Sequence, residues 1–274
     1  MNTGNPAPGV AATPVRPAEV VRDYGPFADA DCIHGVSFDG HNVWAATGAA
    51  LVAFDPRDGA LVRTLALPCD AGTAFDGTHL YQIAEARIDK IDPRSGRVLS
   101  SIPAPGAGAD SGMAWAEGSL WVGQYRQRRI HQIDPADGTV LRTIESDRFV
   151  TGVTWVDGQL WHGTGEGEES DIRRVDPQDG TVLERLRMPP GISVSGLEAD
   201  GGDLFYCGAP RAAGRGLIRG VPRRGTGSRR RCPGRGCGAS ARLRCPSAAD
   251  RGRAAQRGKR APVTAAAPAA APRC

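Results

Sequence analysis

The sequence predicts an all-β protein, a five-bladed β-propeller, and three observations point there. First, an acidic residue and a glycine, then an aromatic, then an Asp-Pro turn recur four times: Asp39-Gly40, Trp44, Asp55-Pro56; Asp76-Gly77, Tyr81, Asp92-Pro93; Glu117-Gly118, Trp121, Asp134-Pro135; Asp157-Gly158, Trp161, Asp176-Pro177. Second, the Asp-Pro pairs are spaced by 37, 42 and 42 residues. A fixed period near 40 marks a repeat architecture, because one unit cannot bury its own apolar face. Third, up to residue 208 the apolar residues fall in short runs between tight turns, with little helical periodicity, as in four-stranded propeller blades.

The elements follow in chain order. Residues 1–18 are rich in Pro, Ala and Gly and read as a flexible N-terminal segment. Val20-Val21-Arg22-Asp23 echoes the last strand of each blade (Leu61-Val62-Arg63-Thr64, Val140-Leu141-Arg142-Thr143, Val182-Leu183-Glu184-Arg185). It is expected to be the outer strand of blade five, closing the ring and removing an exposed edge. The third unit, residues 111–146, illustrates a blade. Met113 with Trp115, Leu120-Trp121, Ile130 with Ile133, and Val140-Leu141 with Ile144 make four short strands, split by Glu117-Gly118-Ser119 and by Asp134-Pro135-Ala136-Asp137-Gly138. In the latter turn Pro presets φ, Asp accepts from following amides, and Gly supplies a positive φ where the next strand restarts. The same turn recurs at Asp55–Gly59, Asp92–Gly96 and Asp176–Gly180. A fifth unit starts at Ser195-Gly196-Leu197-Glu198, reaches Gly202 and Phe205, and loses the pattern after Gly208. The propeller is therefore expected over residues 19–208, with its third strand in blade five drawn from the poor segment Arg215–Val221.

Composition splits the chain. Residues 1–208 hold 17 Lys and Arg against 29 Asp and Glu, a net −12; residues 209–274 hold 17 against 1, a net +16. The C-terminal part is Arg, Gly, Ala and Pro with no aromatic residue, so it cannot bury enough surface to order itself and is expected to be disordered. Three readings of it stay open: a nucleic-acid-binding arm, a metal site on Cys232, Cys237 and Cys245, whose spacing lacks the CxxC pairing of zinc sites, or the out-of-frame product of a GC-rich gene, which the abrupt change of composition favours. Nucleic acid is a partner only if this tail is genuine. No apolar h-region or 18-residue apolar stretch occurs, so neither a signal peptide nor a membrane partner is expected. The three cysteines before residue 209 (Cys32, Cys69, Cys207) read as small buried residues. A cytoplasmic monomer without cofactor or metal is the expectation.

In a propeller the innermost strands line a channel, and ligand groups gather at a rim. The inner strands are expected at Ile33–Phe38, Gly72–Phe75, Ser111–Trp115, Gly152–Trp155 and Ser195–Glu198. Each carries a glycine at the same place (Gly35, Gly72, Gly112, Gly152, Gly196), where crowding near the axis favours a small residue. The polar residues just before these glycines, Asp31 and His34, Asp110 and Ser111, Thr151, and Ser195, should converge on one mouth, with Glu198 pointing in. A second polar group follows the blade aromatics: Tyr125, then His162 and Glu166, Glu168 and Glu169. A histidine among carboxylates can do acid–base work or hold a cation. The tryptophans, Trp161 among them, read chiefly as inter-blade core, with a stacking platform for a ligand as the alternative.

Cys32-Ile33-His34-Gly35-Val36, Asp39-Gly40, Val43-Trp44-Ala45-Ala46-Thr47-Gly48 and Asp55-Pro56-Arg57-Asp58-Gly59 resemble blade one of the five-bladed plant and bacterial glutaminyl cyclases (glutamine cyclotransferases). That blade reads roughly Phe-Thr-Gln-Gly-Leu, an Asp-Gly turn, Leu-Tyr-Glu-Ser-Thr-Gly, and Asp-x-x-Thr-Gly. Ser111-Gly112-Met113-Ala114-Trp115 and Gly118-Ser119-Leu120-Trp121 resemble the family's Asn-Glu-Leu-Glu-Tyr and Asp-Gly-x-Leu-Tyr. The resemblance implies cyclisation of an N-terminal glutamine, with a small molecule or a peptide N-terminus as partner. That reaction needs a base for the attacking amine, an acid for the departing ammonia and donors for the oxyanion. The family's acidic residues fall on Ala45, Gly112 and Ala114. A site would have to be rebuilt with His34 as base or acid, Glu198 as its partner, Ser111 or Thr151 as hydrogen-bond donors, and Asp110, Thr151, Tyr125, Trp161 and Glu166 as ligand contacts. The alternative is a non-catalytic propeller that binds a small polar ligand or a protein at its rim.

Overall fold

The computed structural model describes residues 12–27, 30–212 and 215–224. Two short strands lead in, β1 (Val15–Pro17) and β2 (Arg22–Tyr24). Blade one is β3 (Gly35–Phe38), β4 (Val43–Ala46), β5 (Gly48–Phe54) and β6 (Leu61–Cys69). Blade two is β7 (Thr73–Phe75), β8 (Leu80–Ala84), β9 (Arg87–Ile91) and β10 (Val98–Pro103). Blade three is β11 (Asp110–Ala116), β12 (Ser119–Gln124), β13 (Arg129–Ile133) and β14 (Val140–Glu145). Blade four is β15 (Val150–Val156), β16 (Gln159–Thr164), β17 (Asp171–Val175) and β18 (Val182–Arg187). Blade five has β19 (Leu197–Ala199), β20 (Leu204–Ala212) and β21 (Arg215–Pro222). The protein is an all-β five-bladed propeller, as the repeat predicts.

Blade five is completed by the N-terminus. Its order is β19-β20-β21-β2, with Arg22, Asp23 and Tyr24 opposite Gly220, Arg219 and Ile218. The strands run past the expected end at residue 208. β21 has few apolar residues, yet Ile218 and Val221 are fully buried, and its register with β20 holds from Leu204↔Pro222 to Ala209↔Leu217. Two fully buried side chains suffice because neighbours lie on both edges of the strand. The segment before residue 19, expected to be flexible, contributes β1, which adds in parallel to the outer strand of blade four (Val15↔Arg185 to Pro17↔Arg187). The ion pair of Arg16 with Glu184 at 2.8 Å and the buried Ala18 hold it there. The expectation for residues 225–274 lies outside the described residues.

The core is divided into five layers, one at each blade-to-blade contact. Trp121, Ile130 and Ile144 of blade three meet Val150, Val153, Leu160 and Val175 of blade four; Phe205 and Val221 of blade five meet Trp161, Ile172 and Leu186 of blade four. Cys69 and Cys207 are free and buried, as expected; Cys32 is buried too but is disulfide-bonded, against the expectation.

The Asp-Pro turns form as the sequence requires. In blade three Asp134 accepts from the amide of Ala136 through its side chain (2.8 Å) and from Gly138 through its carbonyl (2.9 Å), and Gly138 has φ 82°. Because this exposed turn is one of four, Asp134→Ala is expected to cost about 1 kcal/mol or less. Chemical denaturation of the variant measures it.

Candidate functional site

The five inner strands stand in register around the axis, and the shared glycine sets that register. A methyl group added to Gly72, Gly112 or Gly152 would lie 2.4, 2.4 and 2.3 Å from the backbone nitrogen of Met113, Val153 and Leu197; one on Gly35 would lie 2.4 Å from the carbonyl of Ala71. Gly196 faces Gly35 and Val36 in the same way and closes the ring. Residues at equal offsets from these glycines therefore share a level. One residue before stand His34, Ala71, Ser111, Thr151 and Ser195; three residues after stand Phe38, Phe75, Trp115, Trp155 and Ala199. Four residues of strand, about 13 Å, separate the two levels.

The upstream mouth gathers most of the expected groups. His34 is half-buried, and its Nε2 lies 3.3 Å from the sulfur of Cys32. Desolvation lowers its pKa below the ordinary value, partly offset by the nearby Asp70, so the ring is neutral at pH 7. Burial pushes the Asp110 carboxyl up to about 6, against a hydrogen bond that its oxygen accepts from the Gly106 amide at 3.0 Å. Ser111 spends its proton on the adjacent blade, donating to the carbonyl of Val150 at 2.8 Å; Ser195 does the same to Ile33 at 2.5 Å. Thr151 occupies the same level, but its buried hydroxyl has no hydrogen-bond partner among the described residues.

Other expected residues are placed elsewhere. Tyr125 and Glu166 sit at this end, in the loops between the second and third strands of blades three and four. Tyr125 is stacked on Phe149 (4.8 Å), and Glu166 accepts from Arg128 at 2.7 Å. His162 is enclosed in blade four, its Nδ1 donating to the carbonyl of Gly163 at 3.1 Å, and burial drops its pKa to about 4. Trp161 is core: it lies opposite Thr154 in the sheet and edge-on to Phe205 at 5.1 Å. Among the described residues no three His, Cys, Asp or Glu side chains converge as a metal site.

Glu198 does not partner His34. It belongs to the level two residues after the glycines, where its carboxylate accepts from Thr154 of blade four (2.5 Å), Ser37 of blade one (3.4 Å) and the amide of Ala199 (2.8 Å). The pairing expected from sequence fails because three residues of extended strand, about 10 Å, separate Ser195 at the upstream mouth from Glu198. Burial lifts the Glu198 carboxyl to about 7 against these three donors. Below pH 4 the group is protonated in both folded and unfolded chains. Between the ordinary glutamate pKa and 7 the unfolded chain gives up its proton first, so stability falls as pH rises. The wild type is therefore expected to lose about 1–2 kcal/mol between pH 4.5 and 8, discounted for partial solvent access, that Glu198→Gln does not lose. Thermal unfolding of both proteins across that range decides it: parallel curves would mean an ordinary carboxyl.

The aromatics of the downstream mouth are the residues that sequence reasoning did not bring together: Phe38, Phe75 and Trp115 were passed over as site residues, and Trp155 was read chiefly as inter-blade core. Phe38, Phe75, Trp115 and Trp155, one from each of four blades, are half-buried and line a cavity of about 310 Å³ together with Glu198 and Asp200. The signal was present: each aromatic follows its blade's axial glycine by three residues.

Comparison with known proteins agrees with this architecture. Residues 143–208, blade four and the first half of blade five, match the family model for glutamine cyclotransferase. The crystal structure of Myxococcus xanthus glutaminyl cyclase superposes with a TM-score of 0.62 at 16% identity, covering 77% of this chain and 98% of that one. The WD40 repeats of RRP9 (TM-score 0.47, 10% identity, covering 76% and 99%) and the hydrazine synthase of Kuenenia stuttgartiensis (0.44, 16%, 65% and 56%) are more distant. No curated protein sequence matches the chain.

Proposed function

We propose that this glutamine cyclotransferase-like propeller acts on the free N-terminal glutamine of a peptide, at the mouth that carries His34. The observation that carries the reading is the convergence there of a histidine neutral at pH 7, a carboxyl with a pKa near 6 and a hydroxyl with no internal partner. His34 takes a proton from the α-ammonium group. The freed amine attacks the side-chain amide carbon. Thr151 donates to the oxyanion that forms. Asp110, part protonated near pH 6, gives its proton to the departing nitrogen, and its carboxylate then takes the surplus proton from the ring nitrogen, so that ammonia leaves as the C–N bond breaks and a neutral five-membered lactam forms. The partner is thus a peptide N-terminus.

A second reading is favoured by Ala45, Gly112 and Ala114, which stand where the resembling family carries carboxylates, and by Ser111, whose proton is committed to Val150. It makes the same mouth a non-catalytic seat for a small polar ligand. Ammonia release from a Gln-initiated peptide separates the two. Cyclisation predicts turnover lost by about 100-fold or more in His34→Ala. A peptide that raises the unfolding midpoint without ammonia release supports the binding seat. No turnover and no shift would remove both.

A further inference from the structure

We propose that the downstream mouth is a second site, an aromatic cage for a small organic ammonium ion, such as a quaternary or methylated amine. It lies at the opposite end of the channel from His34 and does not depend on the activity proposed there.

Four aromatic side chains from four different blades surround one cavity. Phe38, Phe75, Trp115 and Trp155 occupy the same level, are each half-buried, and line it. Two are held from behind: Trp115 stacks on Tyr81 (5.4 Å, 16° between planes) and Trp155 on Trp121 (5.9 Å, 21°). Packed from behind, these rings are walls fixed before any ligand arrives. The fifth position of the level is Ala199, and this gap admits the carboxylate of Glu198 from the level below. Among the described residues, the charged groups lining the cavity are Glu198 and Asp200, both acidic, with no Lys or Arg.

Physical chemistry restricts the occupant. Ring faces present the negative side of their quadrupole, so a cavity walled by them attracts a diffuse cation within about 6 Å of a ring centroid. A neutral apolar molecule would fill the same volume but leave a carboxylate facing hydrocarbon, which costs desolvation. A small inorganic cation would need more oxygen donors than this wall offers, since Ca²⁺ takes roughly 6–8 oxygen ligands. A volume of about 310 Å³ suits a molecule of the size of choline. Three donors from blades four, one and five already hold the Glu198 carboxyl in place, so above pH 7, where it is ionised, the ligand meets a charge whose position is set.

The test titrates the intact chain with choline, with its neutral isostere 3,3-dimethyl-1-butanol, and with potassium chloride. The readouts are calorimetry and tryptophan fluorescence, to which the cavity-lining Trp115 and Trp155 contribute with the chain's three other tryptophans. Choline is expected to saturate, and to bind about tenfold or more tightly than the alcohol. Potassium at equal ionic strength should leave the signal unchanged. Glu198→Gln, which keeps the side chain's shape, should weaken choline by about tenfold and leave the alcohol where it was. Equal affinity for choline and the alcohol would overturn the proposal, since the cavity would then be merely apolar. Displacement of choline by potassium, an unchanged affinity in Glu198→Gln, or the lack of any saturable signal would also overturn it. The isostere comparison needs no variant, so it stands even if a substitution impairs folding.

Discussion

Gly152→Ala is expected to destabilise the propeller by about 3 kcal/mol or more, enough to unfold much of the population at physiological temperature. The added methyl group would sit 2.3 Å from the backbone nitrogen of Leu197 and 2.6 Å from the carbonyl carbon of Gly196. Overpacking is tolerated when a flexible side chain can swing away. Here the obstacle is the main chain of the next inner strand, and moving it moves the whole of blade five. Gly165→Ala is the control: its methyl group would be at an ordinary 3.5 Å from Thr151, and a change within about 0.5 kcal/mol is expected. Equal losses in the two variants would show that glycine content, and not axial crowding, sets the cost.

Trp121→Ala is expected to cost roughly 3–5 kcal/mol. The indole is almost wholly buried where blades three and four meet, among Ile130, Ile144, Val150 and Leu160, and it backs Trp155. Its removal opens a cavity between two sheets that are each pinned by their other neighbours and cannot collapse into it. Equilibrium denaturation measures the loss, and a near-neutral result would mean the ring serves a ligand instead of the core.

These two residues show what was legible in the chain. Trp121 and the turn around Asp134 recur at fixed offsets, and their causes are local, so the blade could be written down from sequence. The axial glycines were legible as a pattern, but their partners, the backbones of neighbouring strands about 40 residues away, were not. The site suffered most. His34 stands one residue before an axial glycine and Glu198 two residues after one, both on the inner strands, which made them look like neighbours. They are separated by a displacement along the axis that no single strand reveals, because it appears only once five strands are aligned. The same alignment brings Phe38, Phe75, Trp115 and Trp155 together; taken one at a time, each reads as an ordinary strand-end aromatic. β21 was undervalued for the opposite reason. Its sequence is weak alone, and its stability comes from the partners on either edge.

The pairing of β2 with β21 also fixes an order of events during synthesis. Residues 22–24 are made well before their partner, residues 218–220, which follows almost 200 residues later. Translation at about 5–20 residues per second puts roughly 10–40 seconds between them. Throughout that interval blades one to four can form on local contacts, while the fifth lacks a strand that already exists and has nothing to pair with. The loop-closure cost of the last step grows only with the logarithm of the intervening length, so the delay is a matter of time and not of free energy. During it, the apolar faces of blades four and one that later pack against blade five are the surfaces most open to a chaperone or to a second nascent copy of the chain.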